Sequence, residues 1–315
     1  MRVLWQSVLV FVVATGGLFS ATASADEISI GSYNVRNFLD VFDDPYANDE
    51  EVAVKPREDI QRLAGAIKKL DADVVVFQEL ENEYVLQAMI DEFLPTAGYR
   101  YVAAQRTNSG RGINLGVISR LPIDELRSYR MQTLTHPDAP GREWQFARDV
   151  MRVTLDAGID RPVEVFCVHL KSNRSGPGDE NSSLYRTAEA MRVKQIIAAE
   201  VEKDPEMLAV VAGDFNSNYE TRPDQPRPWP AMEHLLADDR PGQPPLLTDM
   251  HAHLSDEQRV TIPGDGRYPP ATFDYILATP AMAKRYVKNS ARIVSTPGLT
   301  SGSDHLPIAA AFKLD

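Results

Sequence analysis

Polar side chains flank several apolar runs of this chain, where they could bind a cation or a phosphate. They comprise four carboxylates, two amides and two imidazoles, namely Glu79, Asp214, Asp274, Asp304, Asn34, Asn216, His169 and His305. Burying several carboxylates near one another is costly unless a cation neutralises them. The set therefore indicates a metal site. Its ligands are oxygen-rich, which favours a hard ion such as Mg²⁺, Mn²⁺ or Ca²⁺ over zinc.

Each of these residues also has an ordinary structural explanation when it is taken alone. Asn34 could start a turn, and Glu79 could cap a helix suggested over residues 81–93. Asp214 and Asn216 lie in a segment that suits a tight turn, although side chains two positions apart in an extended chain point to the same side. A single histidine such as His169 is more often a packed or surface residue than a catalyst. The joint occurrence of these residues is what favours chemistry.

The elements that must position these residues alternate along the chain as short strands and helices. Helices are predicted over residues 56–70 and 183–203. Strands are predicted over residues 28–33, 74–77, 113–118, 149–155, 163–170, 208–212, 273–278, 291–294 and 307–312. Two runs of strands, each carrying helices and with no linker between them, indicate an α/β fold in which two sheets pack face to face with helices outside.

Three segments have irregular composition, rich in Pro, Gly, Asn, Ser or charge. They are residues 172–182, 217–230 and 255–270. Long loops inside a compact domain are either binding loops or solvated insertions, and composition alone does not decide between the two.

Six fragments in this order along the chain closely resemble the endonuclease/exonuclease/phosphatase superfamily, a deoxyribonuclease I-like group. They are Ser-Tyr-Asn-Val at 32–35, Phe-Gln-Glu at 77–79, His-Leu-Lys-Ser at 169–172, Gly-Asp-Phe-Asn at 213–216, Phe-Asp-Tyr-Ile at 273–276 and Ser-Asp-His-Leu-Pro at 303–307. The resemblance runs from about residue 28 to residue 312. It implies a single four-layered α/β sandwich, in which two packed mixed β-sheets are flanked by helices.

The resemblance also implies a metal role for three of the residues. Glu79 would be the central ligand of a divalent ion, with Mg²⁺ expected and Mn²⁺ or Ca²⁺ as alternatives. Asn34 and Asp304 would lie close to the same ion or its waters.

The other five residues would be catalytic. Asp214 would position or deprotonate the attacking water, and Asn216 would hold a phosphoryl oxygen. His305, oriented by Asp274, would contact the scissile phosphate, and His169 would bind another phosphate oxygen. An imidazole paired with a carboxylate should have its protonated form favoured, which suits phosphate binding.

Four basic residues near predicted strand ends could contact a substrate phosphate. They are Arg106, Arg111, Arg148 and Lys171. For each of them a solvated surface charge is the simpler interpretation. Arg186 opens the second predicted helix, where it could brace either the fold or the site.

Composition excludes several classes of protein. The 315 residues include 33 Lys plus Arg against 45 Asp plus Glu, for a formal net charge of −12. A broad basic surface that coats nucleic acid is therefore not expected, although a local basic cleft is compatible with this charge. The single Cys167 excludes an intramolecular disulfide and a zinc site built on cysteines. No feature of the sequence implies an oligomer.

The first 25 residues have the pattern of a secretory signal. Arg2 supplies the positive start, residues 8–14 form an apolar run, and Ala23-Ser24-Ala25 offers small residues for cleavage. A membrane anchor is the alternative, but the run is too short to span a bilayer. The sequence thus predicts a mature domain over residues 26–315, exported to the periplasm or the medium, with no later membrane-spanning segment.

Together these observations predict an exported, metal-dependent phosphodiesterase, with nuclease activity on DNA or RNA as the first choice. A phospholipid or small phosphoester hydrolase is the alternative, and it predicts exposed apolar or aromatic loop tips, for which Trp229 is the obvious candidate. An inactive binding module on the same fold is a third possibility. Retention of all eight motif residues counts against that module.

Overall fold

Helix α1 (Arg57–Leu70) shows how local sequence builds this fold. It follows Pro56, whose extended backbone starts the helix, and it ends at Asp71, which adopts a left-handed φ of 49°. Between these ends, Leu63, Ile67 and Leu70 recur at helical spacing and are buried. The computed structural model describes residues 26–42, 44–48, 52–219, 229–238, 240–266, 268–298 and 300–315, so the predicted signal segment, residues 1–25, lies outside the described residues.

Two six-stranded mixed sheets organise the described chain. In spatial order, the first sheet holds β11 (Arg292–Ile293), β12 (Ile308–Lys313), β1 (Glu27–Phe38), β2 (Val74–Leu80), β4 (Asn114–Ser119) and β3 (Tyr101–Gln105). The second sheet holds β5 (Ile123–Ser128), β6 (Val150–Leu155), β7 (Val163–His169), β8 (Leu208–Asp214), β10 (Asp274–Ala278) and β9 (Thr248–Asp249). The pairs β1–β2 and β7–β8 are parallel, and the other neighbours are antiparallel.

The sheets pack face to face, and helices cover both outer faces. Alternate strand residues such as Val74, Val76, Val163 and Val165 form the core between the sheets. The intervening residues of the first sheet pack against α1 and α2 (Glu83–Phe93). Those of the second sheet pack against α3 (Ser183–Lys203) and α4 (Pro230–Leu236). Short α5 (Pro280–Lys284) follows β10. The predicted four-layered α/β sandwich is confirmed.

The sheets repeat one strand pattern. In the first, β1 and β2 run parallel and β4 lies antiparallel beside β2. In the second, β7 and β8 run parallel and β10 lies antiparallel beside β8. The four parallel strands carry Asn34, Glu79, His169 and Asp214 at or near their carboxyl ends. Contacts between these side chains show that the four ends meet.

The three irregular segments differ in how they are built. Residues 172–182 end in a 3-10 turn, Glu180–Ser182, that leads into α3. Residues 255–270 are rich in turns and close through a bridge between Ile262 and Ala271. Residues 217–230 include 220–228, which lie outside the described residues.

Candidate active site

Three strand ends of the second sheet place His169, Asp214 and Asp274 side by side. His169 lies opposite Asp214 in the β7–β8 pair, and Asp214 lies opposite Asp274 in the β8–β10 pair. Gly213 permits this close approach, because it has a φ of +149° and a Cβ there would lie 2.0 Å from the Val168 carbonyl oxygen. The three side chains are buried. The sheet edge therefore presents one imidazole and two carboxylates in a row.

A second imidazole, that of His305, reaches this row from the segment before β12. Its Nδ1 lies 2.8 Å from Asp274 Oδ2, and its Nε2 lies 3.8 Å from Asp214 Oδ2. Its backbone N–H donates to Ser303 Oγ at 3.1 Å, and the Ser303 hydroxyl donates to the Asn34 carbonyl oxygen at 2.8 Å. These bonds tie the segment to β1 and hold the imidazole between two carboxylates.

The first sheet contributes Asn34 and Glu79. Asn34 Nδ2 donates to Asp214 Oδ2 at 3.0 Å, while Asn34 Oδ1 accepts from the Arg36 backbone N–H at 3.0 Å. Glu79 Oε2 accepts from the Asn37 backbone N–H at 3.2 Å. Glu79 Oε1 lies 3.9 Å from His169 Nε2, so the two sheets meet at these side chains.

Asn216 completes the cluster just after β8. Its backbone N–H donates to Asp214 Oδ1 at 2.8 Å. Its side-chain Nδ2 donates to the Leu170 carbonyl oxygen at 3.0 Å and to Asp214 Oδ2 at 3.3 Å. Asp214 thus receives hydrogen bonds from both predicted amides.

Left-handed backbone conformations gather at this site. Arg36, Asn37, Glu79 and Asn216 have φ values of 47°, 50°, 67° and 49°. Residues other than glycine avoid this region at a cost of about 1 kcal/mol or more. Glu79 occupies an irregularity in the β2–β4 register, between Gln78 and Leu80. The irregularity directs its carboxylate to the site in place of the regular strand alternation.

Burial sets the ionisation of the central carboxylate. Burial, the largest effect, raises the pKa of Asp214 to about 7, where the nearby His305 opposes the rise and Asp274 adds to it. The carboxyl group of Asp214 can therefore exchange a proton near neutral pH.

The two imidazoles are driven in opposite directions. Burial would lower the pKa of His305, but the carboxylates of Asp274 and Asp214 outweigh burial and raise that pKa to about 10. Burial, with the positive charges of Arg148 and His305, lowers the pKa of His169 well below its ordinary value. The neighbouring carboxylates thus favour the protonated form of His305, whereas burial favours the neutral form of His169.

The donor set suits a hard cation that keeps water ligands. Glu79 Oε1 lies 3.9 Å from His169 Nε2 and 3.9 Å from Arg111 Nη2, and this distance is beyond hydrogen-bond range. A carboxylate oxygen without a hydrogen bond at an open site is available to an ion. Mg²⁺ usually binds through one or two carboxylates plus water and substrate phosphate, so a full protein cage is not required.

Asp304 stands apart from the buried cluster. Its side chain is 51% exposed, and its Oδ2 lies 3.6 Å from Arg36 Nε. Among the described residues, no group of three or more His, Cys, Asp or Glu side chains is placed to hold a metal ion. The proposed metal residues therefore include one carboxylate at the centre, Glu79, and one at the rim, Asp304.

Two of the four basic candidates face the site. Arg148 is buried, and its Nη1 donates to the Leu170 carbonyl oxygen at 3.4 Å. Arg111 Nη2 lies 3.9 Å from Glu79 Oε1. The other two bind nearby loops: Arg106 donates to the Tyr46 carbonyl oxygen at 2.9 Å, and Lys171 Nζ donates to the carbonyl oxygens of Ser172 and Arg174.

Two residues at the site were not predicted. Asn37 donates its backbone N–H to Glu79 and accepts from Arg111 Nη1 through its Oδ1 at 3.3 Å. Glu189, on α3, is fully buried and bonds the segments before β6 and after β7. Asn37 lies beyond the predicted strand over residues 28–33, and Glu189 lies within a predicted helix, where a polar residue usually faces solvent, so neither was singled out.

Comparison with known proteins identifies a matching family and a shared fold. The model of the Endonuclease/Exonuclease/phosphatase family matches residues 31–305. No curated protein matches the sequence significantly.

Solved structures share the fold at low sequence identity. An endonuclease/exonuclease/phosphatase from Beutenbergia cavernae DSM 12333 is 19% identical, with a TM-score of 0.62 and coverage of 92% of this chain and 72% of that one. The human Nocturnin catalytic domain with bound sulfate anion is 18% identical, with a TM-score of 0.56 and coverage of 91% and 94%. D. rerio TDP2 complexed with single strand DNA product is 17% identical, with a TM-score of 0.56 and coverage of 92% and 100%.

Proposed function

The chain belongs to the endonuclease/exonuclease/phosphatase family of phosphoesterases, and we propose that it is an exported, divalent-metal-dependent phosphodiesterase that hydrolyses DNA or RNA. The observation that carries the proposal is the position of His305, a cationic imidazole held between the carboxylates of Asp274 and Asp214. The cationic imidazole can stabilise a phosphoryl oxygen by donating a hydrogen bond to it. The carboxylate of Asp214, which exchanges a proton near pH 7, can accept a proton from water.

Asp214 is proposed to take the proton of the attacking water. Its Oδ2 accepts from Asn34 and Asn216, and these bonds fix its direction while its pKa of about 7 leaves it able to accept a proton. Asn216 reaches the same oxygen through its Nδ2 at 3.3 Å. We propose that this N–H turns to a phosphoryl oxygen when substrate binds, while the second N–H keeps its bond to the Leu170 carbonyl oxygen.

The histidines are proposed to hold the phosphoryl group. His305, oriented by Asp274, donates from Nε2 as a cation, which opposes charge on the phosphorane. His169 remains neutral and donates a single N–H. When bound, a divalent cation would neutralise charge on the phosphoryl and leaving oxygens, and Glu79, Asn34 and Asp304 are the residues proposed to hold it.

Nucleic acid is the substrate class that the surroundings favour. Arg111 and Arg148 bring two guanidinium groups toward the carboxylate cluster of an otherwise acidic protein. One structural neighbour is described in complex with a single strand DNA product. We extend that substrate class to this chain as part of the proposal.

An exposed apolar surface favours a second candidate, hydrolysis of a phospholipid. Exposed Val41, Phe42 and Val54 line a cavity of about 470 Å³ with exposed Tyr84, and Phe42 and Tyr84 are 76% and 72% exposed. Apolar side chains of this kind could contact a lipid surface. Trp229, the candidate suggested by sequence, packs instead against Phe273 and beneath Arg186.

The proposal is tested by hydrolysis with the protein over residues 26–315. Plasmid DNA, RNA, bis-p-nitrophenyl phosphate and sphingomyelin are each incubated with Mg²⁺, Mn²⁺, Ca²⁺ or EDTA. We expect nucleic acid cleavage that requires a divalent ion and that falls at least about 100-fold in His305→Ala. His253→Ala, an exposed histidine in the segment after β9, is the matched control and should retain activity.

Each other outcome has a defined meaning. Cleavage of sphingomyelin without cleavage of nucleic acid would establish the second candidate. Equal activity with EDTA and Mg²⁺ would reject metal dependence. Absence of hydrolysis on all four substrates would favour the inactive binding module.

Export is proposed from the composition of residues 1–25. The described residues contain no helix long and apolar enough to cross a membrane. Fractionation of cells that express the full chain should recover a protein that begins near Asp26 in the periplasm or the medium. Recovery of the uncleaved chain in the membrane fraction would establish an anchor instead.

A further inference from the structure

Glu189 is a fully buried carboxylate that the proposed reaction does not use. It lies on α3 at 0% exposure, and burial of a carboxylate is costly unless hydrogen bonds compensate. Two backbone amides provide them. Glu189 Oε1 accepts from the Ala147 N–H at 2.7 Å, and Oε2 accepts from the Lys171 N–H at 2.6 Å. One side chain thus joins the segment before β6 to the segment after β7.

Arg186, one helical turn earlier, binds the other backbone polar group of the same residue, Lys171. Its Nη1 donates to the Lys171 carbonyl oxygen at 3.0 Å and to the Asn181 carbonyl oxygen at 3.0 Å. Arg186 is 3% exposed. Both backbone groups of Lys171 are therefore bound by α3, the N–H by Glu189 and the carbonyl by Arg186.

The segments that α3 holds also carry the site. The Leu170 N–H donates to the Asp214 carbonyl oxygen at 2.9 Å. The Leu170 carbonyl oxygen accepts from Asn216 Nδ2 at 3.0 Å and from Arg148 Nη1 at 3.4 Å. His169 directly precedes Leu170, and Ala147 directly precedes Arg148. A displacement of Lys171 or Ala147 would therefore move three groups that face the phosphate.

We propose that Glu189, supported by Arg186, is a positioning residue that fixes His169, Arg148 and Asn216 relative to one another around the scissile phosphate. The proposal rests on the proposed phosphodiesterase function. It explains why a carboxylate occupies this position: two N–H donors converge on Glu189, and a carboxylate offers an acceptor oxygen to each. A glutamine of the same shape offers one acceptor, and its NH₂ group would face the second donor.

The test compares two isosteric substitutions of buried glutamates. Glu189→Gln replaces one of the two acceptor oxygens of Glu189 by an NH₂ group. Glu164→Gln is the matched control, because Glu164 is also buried and lies on β7, the strand of His169, but pairs with Arg152 at the far end. Steady-state hydrolysis of bis-p-nitrophenyl phosphate is measured well below each melting temperature. We expect kcat of Glu189→Gln to fall about 10- to 100-fold with little change in KM, and kcat of Glu164→Gln to stay within about two-fold of wild type.

A double-mutant cycle separates positioning from loss of folded protein. If Glu189 acts through Asn216, the effects of Glu189→Gln and Asn216→Ala on kcat should be less than additive. The effects of Glu164→Gln and Asn216→Ala should add. If Glu189→Gln does not fold, Arg186→Lys is tested in its place. This variant keeps the charge but cannot reproduce the contacts of the guanidinium group with the carbonyl oxygens of Lys171 and Asn181. It should show the same loss of kcat.

Three results would overturn the inference. The first is a wild-type kcat in Glu189→Gln, or in Arg186→Lys if Glu189→Gln does not fold. The second is an equal loss of kcat in Glu164→Gln, and the third is that the effects of Glu189→Gln and Asn216→Ala on kcat are additive. Failure of the proposed function looks different, since wild type itself would then leave bis-p-nitrophenyl phosphate intact.

Discussion

At the scale of single residues, buried carboxylates with raised pKa values connect the stability of this protein to pH. Burial, the largest effect, raises the pKa of Asp149 to about 7, although Ser128 and Tyr129 donate hydrogen bonds to it. An unfolded aspartate titrates near 3.9. The folded state therefore binds this proton more tightly, so the contribution of Asp149 to stability is complete below about pH 4 and is lost as pH rises through about 7.

Asp149→Asn should remove the loss of folding stability that wild type shows as pH rises through about 7. An asparagine can accept from the Tyr129 N–H and donate to the Ser128 hydroxyl, so both contacts survive. We expect the variant to match wild type near pH 4 and to exceed it by about 2–4 kcal/mol at pH 8, measured by urea unfolding at both values. Equal stability at pH 8 would mean that the two hydrogen bonds keep the carboxylate ionised without penalty.

Residue type predicted a group of polar side chains near strand ends, but not how each is held. Asn34, Glu79 and Asp214 were identifiable because carboxylates and amides rarely follow apolar strands without a partner. Glu189 was not, since a glutamate within an amphipathic helix usually faces solvent. Its burial depends on two backbone amides, at Ala147 and Lys171, that only the folded chain brings together.

At the scale of elements, the end of β2 departs from regular strand geometry at Glu79, and this departure directs the carboxylate toward the site. This residue has a φ of 67°, which costs an ordinary residue about 1 kcal/mol relative to glycine. Glu79→Gly and Glu79→Ala both lose the carboxylate and its bond to the Asn37 N–H. We therefore expect both variants to be inactive and the glycine variant to be more stable than the alanine variant by about 1 kcal/mol in denaturant unfolding.

The control pair is Asn289→Gly and Asn289→Ala, at an exposed left-handed residue with a φ of 63° between α5 and β11. It should show the same difference in stability with activity retained. Equal stability of the two Glu79 variants would show that the strand end relaxes and stores no strain.

The elements that sequence predicted well are the long helices and the central strands, whose hydrophobic patterns are strong. The predicted helices over residues 56–70 and 183–203 match α1 and α3, and the predicted strands match the central ones, such as β2 and β8. The strands that were missed, β3, β5 and β9, are all sheet edges. Edge strands are short or carry exposed polar residues, as in the Ile-Asp-Glu-Leu-Arg-Ser sequence of β5, so hydrophobic periodicity does not reveal them.

At the scale of the whole molecule, the repeated strand pattern explains why residues 180 positions apart meet. Asn34 lies at the last regular pair between β1 and β2 of the first sheet, and it bonds to Asp214, which ends β8 of the second sheet. Sequence predicted two packed sheets, but the pairing of strand ends across them depends on strand order, which periodicity does not encode. The site therefore lies where the two sheets meet, and it requires both.

At the same scale, the distribution of charge determines how strongly the binding of a long polyanion should depend on salt. The net charge of −12 opposes approach of nucleic acid, while Arg111 and Arg148 face the site and Arg106 and Lys171 lie on nearby loops. Binding of DNA through about two to four phosphate contacts releases a similar number of counterions. Salt should therefore weaken this binding strongly, because it screens the attraction and reduces the gain from counterion release.

Raising NaCl from about 50 to about 200 mM should lower kcat/KM for DNA by about 10- to 100-fold, as expected for two to four phosphate contacts. Hydrolysis of bis-p-nitrophenyl phosphate, a small monoanion, should change by less than about two-fold and serves as the control for salt effects on the site itself. Arg111→Gln should reduce the slope of the logarithmic salt dependence by about 1. Salt-independent cleavage of DNA would contradict this assignment of the arginines, whereas an equal decline with both substrates would locate the salt effect in the metal and carboxylate cluster.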